Sequence, residues 1–434
     1  MSVAAIGILG VAGLLALIFA RVPIALALAA TGLLGYAALD GWGTALKMFG
    51  TVPFELARAY SLSVLPLFIL MGAVAARANM AREMFDAANG VFSGIRGALA
   101  NATIGACALF GAICGSSIAT AATFAGVAVP EMRRHGYDAA FAAGAVASAG
   151  TLAVLIPPSV LLAIYAVVAE QSLPKLYAAA FIPGFLLAAL YVVVVFCVAW
   201  ARPHWVPRVP AMRLAERLRA AVGMWKLGVL FFFAVFGIYL GWFSPTEAAA
   251  IAAFAAIVIA FATRTLSLRG LLDALLDTAF TSAVLFFIIA GAFVFSRFIV
   301  LTQFPNALAA WVKGAGLSPA WILLAVTALY VLLGTFLDEV STILITVPVT
   351  LPLILGIGYD GVWLGIFITV LCTIGLISPP TGMTVFVIQA QHPGIPVARI
   401  YLGTLPFLAA DFVLAGLLIA FPAIALWLPL VLKI

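Results

Sequence analysis

Residues 332–348 read LLGTFLDEVSTILITVP: two adjacent acids, Asp338 and Glu339, inside a run otherwise suited to hydrocarbon. An ionised side chain at the centre of a bilayer costs at least ~2.5 to 3.5 kcal/mol, so its default explanation is functional. The competing explanation is a chain reversal whose tip simply reaches water. The surrounding sequence sets the context. Of 434 residues, 66% are hydrophobic and 8% charged, with a mean hydropathy of +1.27, far from the composition of soluble globular domains. Apolar runs of about 20 residues, enough to cross a ~30 Å hydrocarbon core, recur from one end to the other. The chain reads as an all-α polytopic protein of the lipid bilayer.

Crossings are expected at about 3–20, 23–39, 63–78, 138–171 (broken at Pro157-Pro158) and 178–200, then at about 225–242, 246–263, 279–300, 361–391 (broken at Pro379-Pro380) and 400–430. Two more apolar regions, about 96–132 and 320–356, are interrupted by GSS and DEVST and read as re-entrant helical hairpins. The opening MSVAAIGILGVAGLLALIFA lacks a basic n-region and reads as a retained helix. Between the halves, residues 201–226 carry six basic residues against one acid, which places the connector (201–224) in the cytoplasm by the positive-inside rule. With five crossings per half, both termini then fall on the outer, periplasmic side. Fifteen basic residues land inside; Lys47, Arg58, Lys175, Lys313 and Lys433 land outside. The net charge of +6 therefore reports topology and gives no reason to invoke nucleic acid.

An internal repeat organises the chain. A gapless shift of 222 residues brings Pro23 onto Pro245, Pro130 onto Pro352, Gly136-Tyr137-Asp138 onto Gly358-Tyr359-Asp360, and Pro157-Pro158 onto Pro379-Pro380. Residues 1–200 and 225–434 form the two repeats. An odd number of crossings in each makes them inverted, as in many secondary transporters. Both repeats break their helices at the same places: GAICGSSIAT and LIPPSV in the first, GTFLDEVST and LISPPTGM in the second. Non-helical backbone at membrane depth survives only where protein buries it or where it lines a wet cavity. Freed carbonyls and Ser/Thr hydroxyls suit a small alkali cation, and half-helix N-termini suit a carboxylate. Breaks of this kind also serve close packing and kinks.

Other polar residues divide less sharply. Asp411 suits either a proton relay or a polar packing bond, and Arg297 either a substrate carboxylate or a snorkelling position at a span's end. Ser244-Pro245-Thr246-Glu247 reads as a capping box. Cys107, Cys114, Cys197 and Cys372 lack metal-ligand spacing. With no Walker A sequence, no zinc-type spacing and no Ser-His-Asp setting in an aqueous domain, neither ATP-driven transport nor an enzyme is indicated, and no cofactor.

GSSIATAATFAGVAVPEMRRHGY, AGTLAVLIPPSV, FLDEVSTILITVPVTLPLI and IGLISPPTGMTVF, in this order and spacing, resemble the large membrane subunit of TRAP transporters, the tripartite ATP-independent periplasmic family, over essentially the whole chain. The resemblance implies an elevator-type transporter in the bacterial or archaeal inner membrane, coupled to sodium ions. It also implies a periplasmic substrate-binding protein that delivers a small organic anion such as a dicarboxylate, keto acid or sugar acid. A separate small membrane subunit of about four helices completes the implied assembly. The implied cation-binding residues are Gly115, Ser116, Ser117, Asp338, Ser341 and Thr342, with Thr381 and Gly382 from the second broken helix. Ser117, Pro158, Ser159, Pro380 and Thr381 are the implied substrate-binding residues. Of the two adjacent acids, Asp338 is the one the motif shares. Outside the resemblance, a stand-alone sodium- or proton-coupled anion carrier and a channel or scaffold subunit remain alternatives.

Overall fold

A computed structural model describes residues 3–434, apart from the side chains of Ala4 and Lys313; the expected outer placement of the N-terminus and of the Lys313 side chain thus lies outside the described residues. Among the described residues the regular elements are all helical, with one isolated bridge between Arg96 and Arg208. Among the described residues, eight helices are long and apolar enough to cross a membrane, or nine if the bent pair Ala139–Leu155 and Val160–Val168 is one span. That pair turns by 43° at the first Pro-Pro.

The innermost helices are the most uniformly apolar. Ala139–Leu155 and Gly361–Ile377 lack a polar stripe, and a helix that is hydrophobic all round belongs in a core. Gly361–Ile377 is buried at every residue and Ala139–Leu155 at every residue after the first. Each begins on an aspartate of the Gly-Tyr-Asp motif. Asp138 accepts hydrogen bonds from the N–H groups of Ala140 and Phe141, and Asp360 from those of Val362 and Trp363. The two helix starts, 222 residues apart, thus use one capping geometry, which satisfies two of the orphan donors of a helix N-terminus.

Around this core pack two helical hairpins, Ala98–Cys114 with Ser117–Arg134 and Pro319–Phe336 with Glu339–Gly356. Small residues set the spacing. A Cβ on Gly111 would lie 2.5 Å from Ala153 Cα, and one on Gly375 would lie 2.5 Å from Gly334 C, so each hairpin meets its broken helix backbone to backbone.

The remaining helices interlock. Ile24–Asp40 packs on Leu268–Leu301, and Pro245–Ala262, one repeat length later, packs on Val64–Arg77. A Cβ on Gly32 would stand 2.6 Å from Phe295 N. Ser244 and Glu247 make the expected capping box at the start of Pro245–Ala262. Three features differ from the sequence expectation. Trp42–Arg58 and Met80–Phe92 are amphipathic helices in stretches without an expected crossing. The crossing expected at 279–300 is part of a 34-residue helix, Leu268–Leu301, because Asp273 and Asp277 are tolerated on its exposed face. The last expected crossing is two helices, Val397–Ala420 and Ala423–Leu432, parted at Pro422, whose missing N–H and fixed φ end a helix.

Asp411 is fully buried in Val397–Ala420 and accepts a 2.7 Å hydrogen bond from the Tyr191 hydroxyl. Tyr191 also contacts Thr151 Oγ1 at 3.4 Å, so three helices share this polar cluster. Tyr191→Phe removes the one donor to Asp411 Oδ1 found among the described residues, where its other oxygen already lacks a partner. The expected loss is about 1–3 kcal/mol, read as a lower melting temperature of the purified chain.

Candidate functional site

Each hairpin tip is a helix stop followed at once by a helix start. In the first hairpin, Gly115 ends Ala98–Cys114 in the left-handed region (φ 64°) and Ser116 caps Ser117–Arg134, its Oγ accepting from Ala119 N at 3.4 Å. Gly115 also leaves room for the first broken helix: a Cβ there would lie 3.1 Å from a Val160 methyl and 3.4 Å from Pro158 O. In the second hairpin, Asp338 caps Glu339–Gly356. Its carboxylate accepts from Ser341 N at 3.0 Å and from the Ser341 hydroxyl, and its carbonyl accepts from Thr342 Oγ1 at 2.9 Å. Ser116 and Asp338 thus do the same structural task, one neutral and one with a carboxylate.

The two tips open onto one cavity of about 520 Å³. Gly115, Ser116, Asp338 and Glu339 line it, with Val160 and Leu161 from the first broken helix. Its far wall is Gly72 and Ala76 of Val64–Arg77 and Asp277 and Thr278 of Leu268–Leu301. Asp277 is neutralised by an ion pair with Arg77. Buried behind the tips are Ser117 and Thr120, whose hydroxyls lie beside the Glu339 carboxyl and the Cys114 thiol respectively, neither in a hydrogen bond of normal geometry. Glu339 is 8% exposed. The Ser117 hydroxyl lies beside its carboxyl, yet Glu339 Oε2 has no partner of normal geometry. Buried polar atoms are nearly always satisfied, so the grouping of Ser117, Thr120 and Glu339 behind the two tips concentrates polar oxygens beside the cavity.

The expected site residues fall into three groups. Gly115, Ser116, Ser117 and Asp338 come together around the cavity. Ser341, Thr342 and Ser159 are buried, and their hydroxyls are engaged inside the protein: Ser159 Oγ donates to Val154 O at 2.6 Å and accepts from Leu162 N, and its carbonyl takes the Tyr177 hydroxyl. Pro158 is buried against the Gly115 turn. Pro380, Thr381 and Gly382 do not line this cavity. There Pro380 is exposed, its carbonyl accepts from the Tyr401 hydroxyl at 2.9 Å, and Gly382 (φ 29°) turns against the carbonyls of Leu376 and Ser378. Arg297 pairs with Glu55, away from the cavity.

Sequence reasoning did not single out Thr120, Arg77 or Asp277. Thr120 lies one helical turn beyond Ser116, a spacing that places both on one helix face, and this was the available signal. The pairing of Arg77 with Asp277 spans 200 residues and left no local trace.

The sequence model described as "Tripartite ATP-independent periplasmic transporter, DctM component" matches residues 11–424. The C4-dicarboxylate TRAP transporter large permease protein DctM of Pseudomonas aeruginosa is 39% identical over 378 residues, covering 87% of this chain and 88% of the relative. The ectoine TRAP transporter large permease protein TeaC of Halomonas elongata is 32% identical, covering 96% and 97%. Among solved structures, the Alcanivorax borkumensis YdaH transporter superposes with a TM-score of 0.64 at 17% identity, covering 89% of this chain and 90% of that one, a likeness of fold. With a family match over nearly the full length and a multi-pass helical fold, the chain belongs to the large permease subunits of the tripartite ATP-independent periplasmic transporters.

Proposed function

We propose that this chain is the membrane permease of a sodium-coupled importer that receives a small carboxylate-bearing solute from a periplasmic binding protein and works beside a small membrane subunit in the inner membrane. The observation that carries this reading is the meeting of two capped half-helix starts, at Ser116 and Asp338, in one cavity with unsatisfied buried oxygens. Helix N-termini favour a carboxylate, and the hydroxyl and carboxyl oxygens beside them are hard donors of the kind a small alkali cation takes. Asp338, Ser116, Ser117 and Gly115 would hold the sodium ion, whose charge offsets that of the solute. The names of relatives support the solute class, since they include carriers of C4-dicarboxylates and of ectoine, all carboxylate-bearing.

The elevator reading rests on packing. The hairpins and broken helices share the central core, while Ile24–Asp40, Val64–Arg77, Pro245–Ala262 and Leu268–Leu301 interlock outside it, and the cavity lies between the two sets. Two inverted repeats, 1–200 and 225–434, would each supply one hairpin and one broken helix to the moving body.

The test is uptake of labelled succinate and ectoine into proteoliposomes. An inward sodium gradient should drive accumulation only when the cognate binding protein is present. Uptake without that protein identifies a stand-alone carrier, and uptake indifferent to the cation gradient removes the coupled-carrier reading altogether.

A further inference from the structure

The stretch CVAWARPHW, residues 197–205, closes the helix Leu173–Ala201 and opens the connector. Its 29 residues at 1.5 Å each make about 43 Å, longer than a ~30 Å hydrocarbon core, so the last turn reaches headgroup depth. Trp200, exposed, and Trp205, half-buried, sit there as interfacial tryptophans do. Between this turn and Val397–Ala420 lies a second cavity, of about 310 Å³, which shares no residue with the one at the hairpin tips. Cys197 and Ala201 form one wall, and Leu402, Leu405 and Pro406 the other. Pro406 stands inside its helix, where its ring and missing N–H disturb the turn running back to Leu402, and the walls part at this turn.

The walls are apolar and the mouth is basic. Arg202 and Trp205 line the mouth, and the Arg202 guanidinium lies 4.3 Å from the centre of the Trp205 ring. Among the described residues Arg202 makes no ion pair. Stacking holds the planar guanidinium in place and leaves its N–H edge free for an oxyanion. The neighbouring acid is already engaged: Asp138, whose N–H donates to Trp205 O at 3.1 Å, gives its carboxylate to Arg399 and to the start of Ala139–Leu155. A free cation above an apolar slot at headgroup depth is complementary to a phosphodiester with an acyl chain attached. A choline headgroup carries the same phosphodiester but sets a cation beside it, against Arg202.

We propose that this cavity binds an anionic phospholipid from the leaflet on the connector's side, its phosphodiester on Arg202 and one acyl chain along Leu402, Leu405 and Pro406. The polar contact is a charge-assisted, two-pronged pair of N–H donors on the phosphate oxygens. The bound lipid fills the gap between the last helix of the first repeat and Val397–Ala420, and it ties the start of the connector to both.

Cys197 supplies the readout, because it is exposed and lines the cavity while Cys107, Cys114 and Cys372 are buried. The full-length chain in nonionic detergent is alkylated with a maleimide and followed by intact mass, at rising mole fractions of dioleoyl phosphatidylglycerol or dioleoyl phosphatidylcholine in the micelle. Each protein is referred to its own lipid-free rate. Phosphatidylglycerol should slow the alkylation with a half-maximal mole fraction about fivefold below that of phosphatidylcholine, the worth of one basic residue at an anionic surface. Arg202→Gln should erase this preference, while Arg208→Gln, which removes one connector charge outside the cavity, should leave it intact. Equal protection by the two lipids in the wild type overturns the proposal whether or not the variants fold, and so does the absence of protection by either. An equal effect of the two substitutions would make the preference one of net charge and overturns it as well. Protection by inorganic phosphate as strong as that by phosphatidylglycerol would assign the site to a free anion and overturns the lipid.

Discussion

Asp338→Asn is expected to fold as stably as the wild type and to lose sodium-driven uptake by at least ~100-fold, about 2.7 kcal/mol of coupling. The separation follows from the two duties of this side chain. As the N-cap of Glu339–Gly356 it accepts from Ser341 N at 3.0 Å, with the Ser341 hydroxyl as a second donor. Asparagine caps helices about as well as aspartate, because the amide oxygen accepts the same backbone hydrogen bond. What asparagine lacks is the charge facing the cavity. Asp338→Ala removes both and should in addition cost about 0.5–2 kcal/mol of stability. Measuring melting temperature and the sodium dependence of uptake on both variants separates cap from charge. Uptake by Asp338→Asn with the wild-type sodium dependence would show that this carboxylate is structural only. Ser116, the neutral cap at the corresponding place of the first hairpin, supplies the comparison: Ser116→Ala should cost stability of the same order without the loss of charge.

Much of this architecture was legible in the sequence because it rests on local rules. Pro-Pro pairs interrupt helices wherever they fall, and Asp138 and Asp360 announce helix starts three residues after a glycine. The 222-residue offset then places Ser116 and Asp338 at equivalent caps without any structure. What stayed hidden depends on partners far away in the chain or on amphipathic balance. Trp42–Arg58 carries Lys47, Glu55 and Arg58, so a search for continuous apolar runs passes over it. The Ser159 hydroxyl looks free in LIPPSV, yet the backbone bend returns it to Val154 O. Asp338 and Glu339 are neighbours in sequence, and only packing reveals that one is occupied as a cap while the other is sealed in with an unpaired oxygen. Cap propensity was readable for Asp338; the burial of Glu339 depends on Ser117 lying beside it across 222 residues of chain.

Gly403→Val should be the most destabilising substitution outside the site, with a loss of about 3 kcal/mol or more and little folded protein recovered. A Cβ on Gly403 would fall 1.9 Å from Ala140 O and 2.6 Å from Ala140 C, and one on the facing Gly144 would fall 2.2 Å from Gly403 C. These are backbone atoms, which cannot swing aside as a side chain can. Val397–Ala420 and Ala139–Leu155 would have to separate along their length, and close approach of small residues is a main source of helix association in lipid. The separation would also break what spans the same two helices, the Arg399–Asp138 ion pair at 2.8 Å and the route from Asp411 through Tyr191 to Thr151. Gly416→Val, on the same helix with no atom within 4 Å of its Cβ position, is the control and should change stability by less than about 0.5 kcal/mol. Melting temperatures of the two variants in one detergent give the comparison. A near-neutral Gly403→Val would mean that the crossing tolerates an extra side chain's width. It would also remove the basis for treating Ala139–Leu155 and Val397–Ala420 as a pair locked backbone to backbone at Gly144 and Gly403.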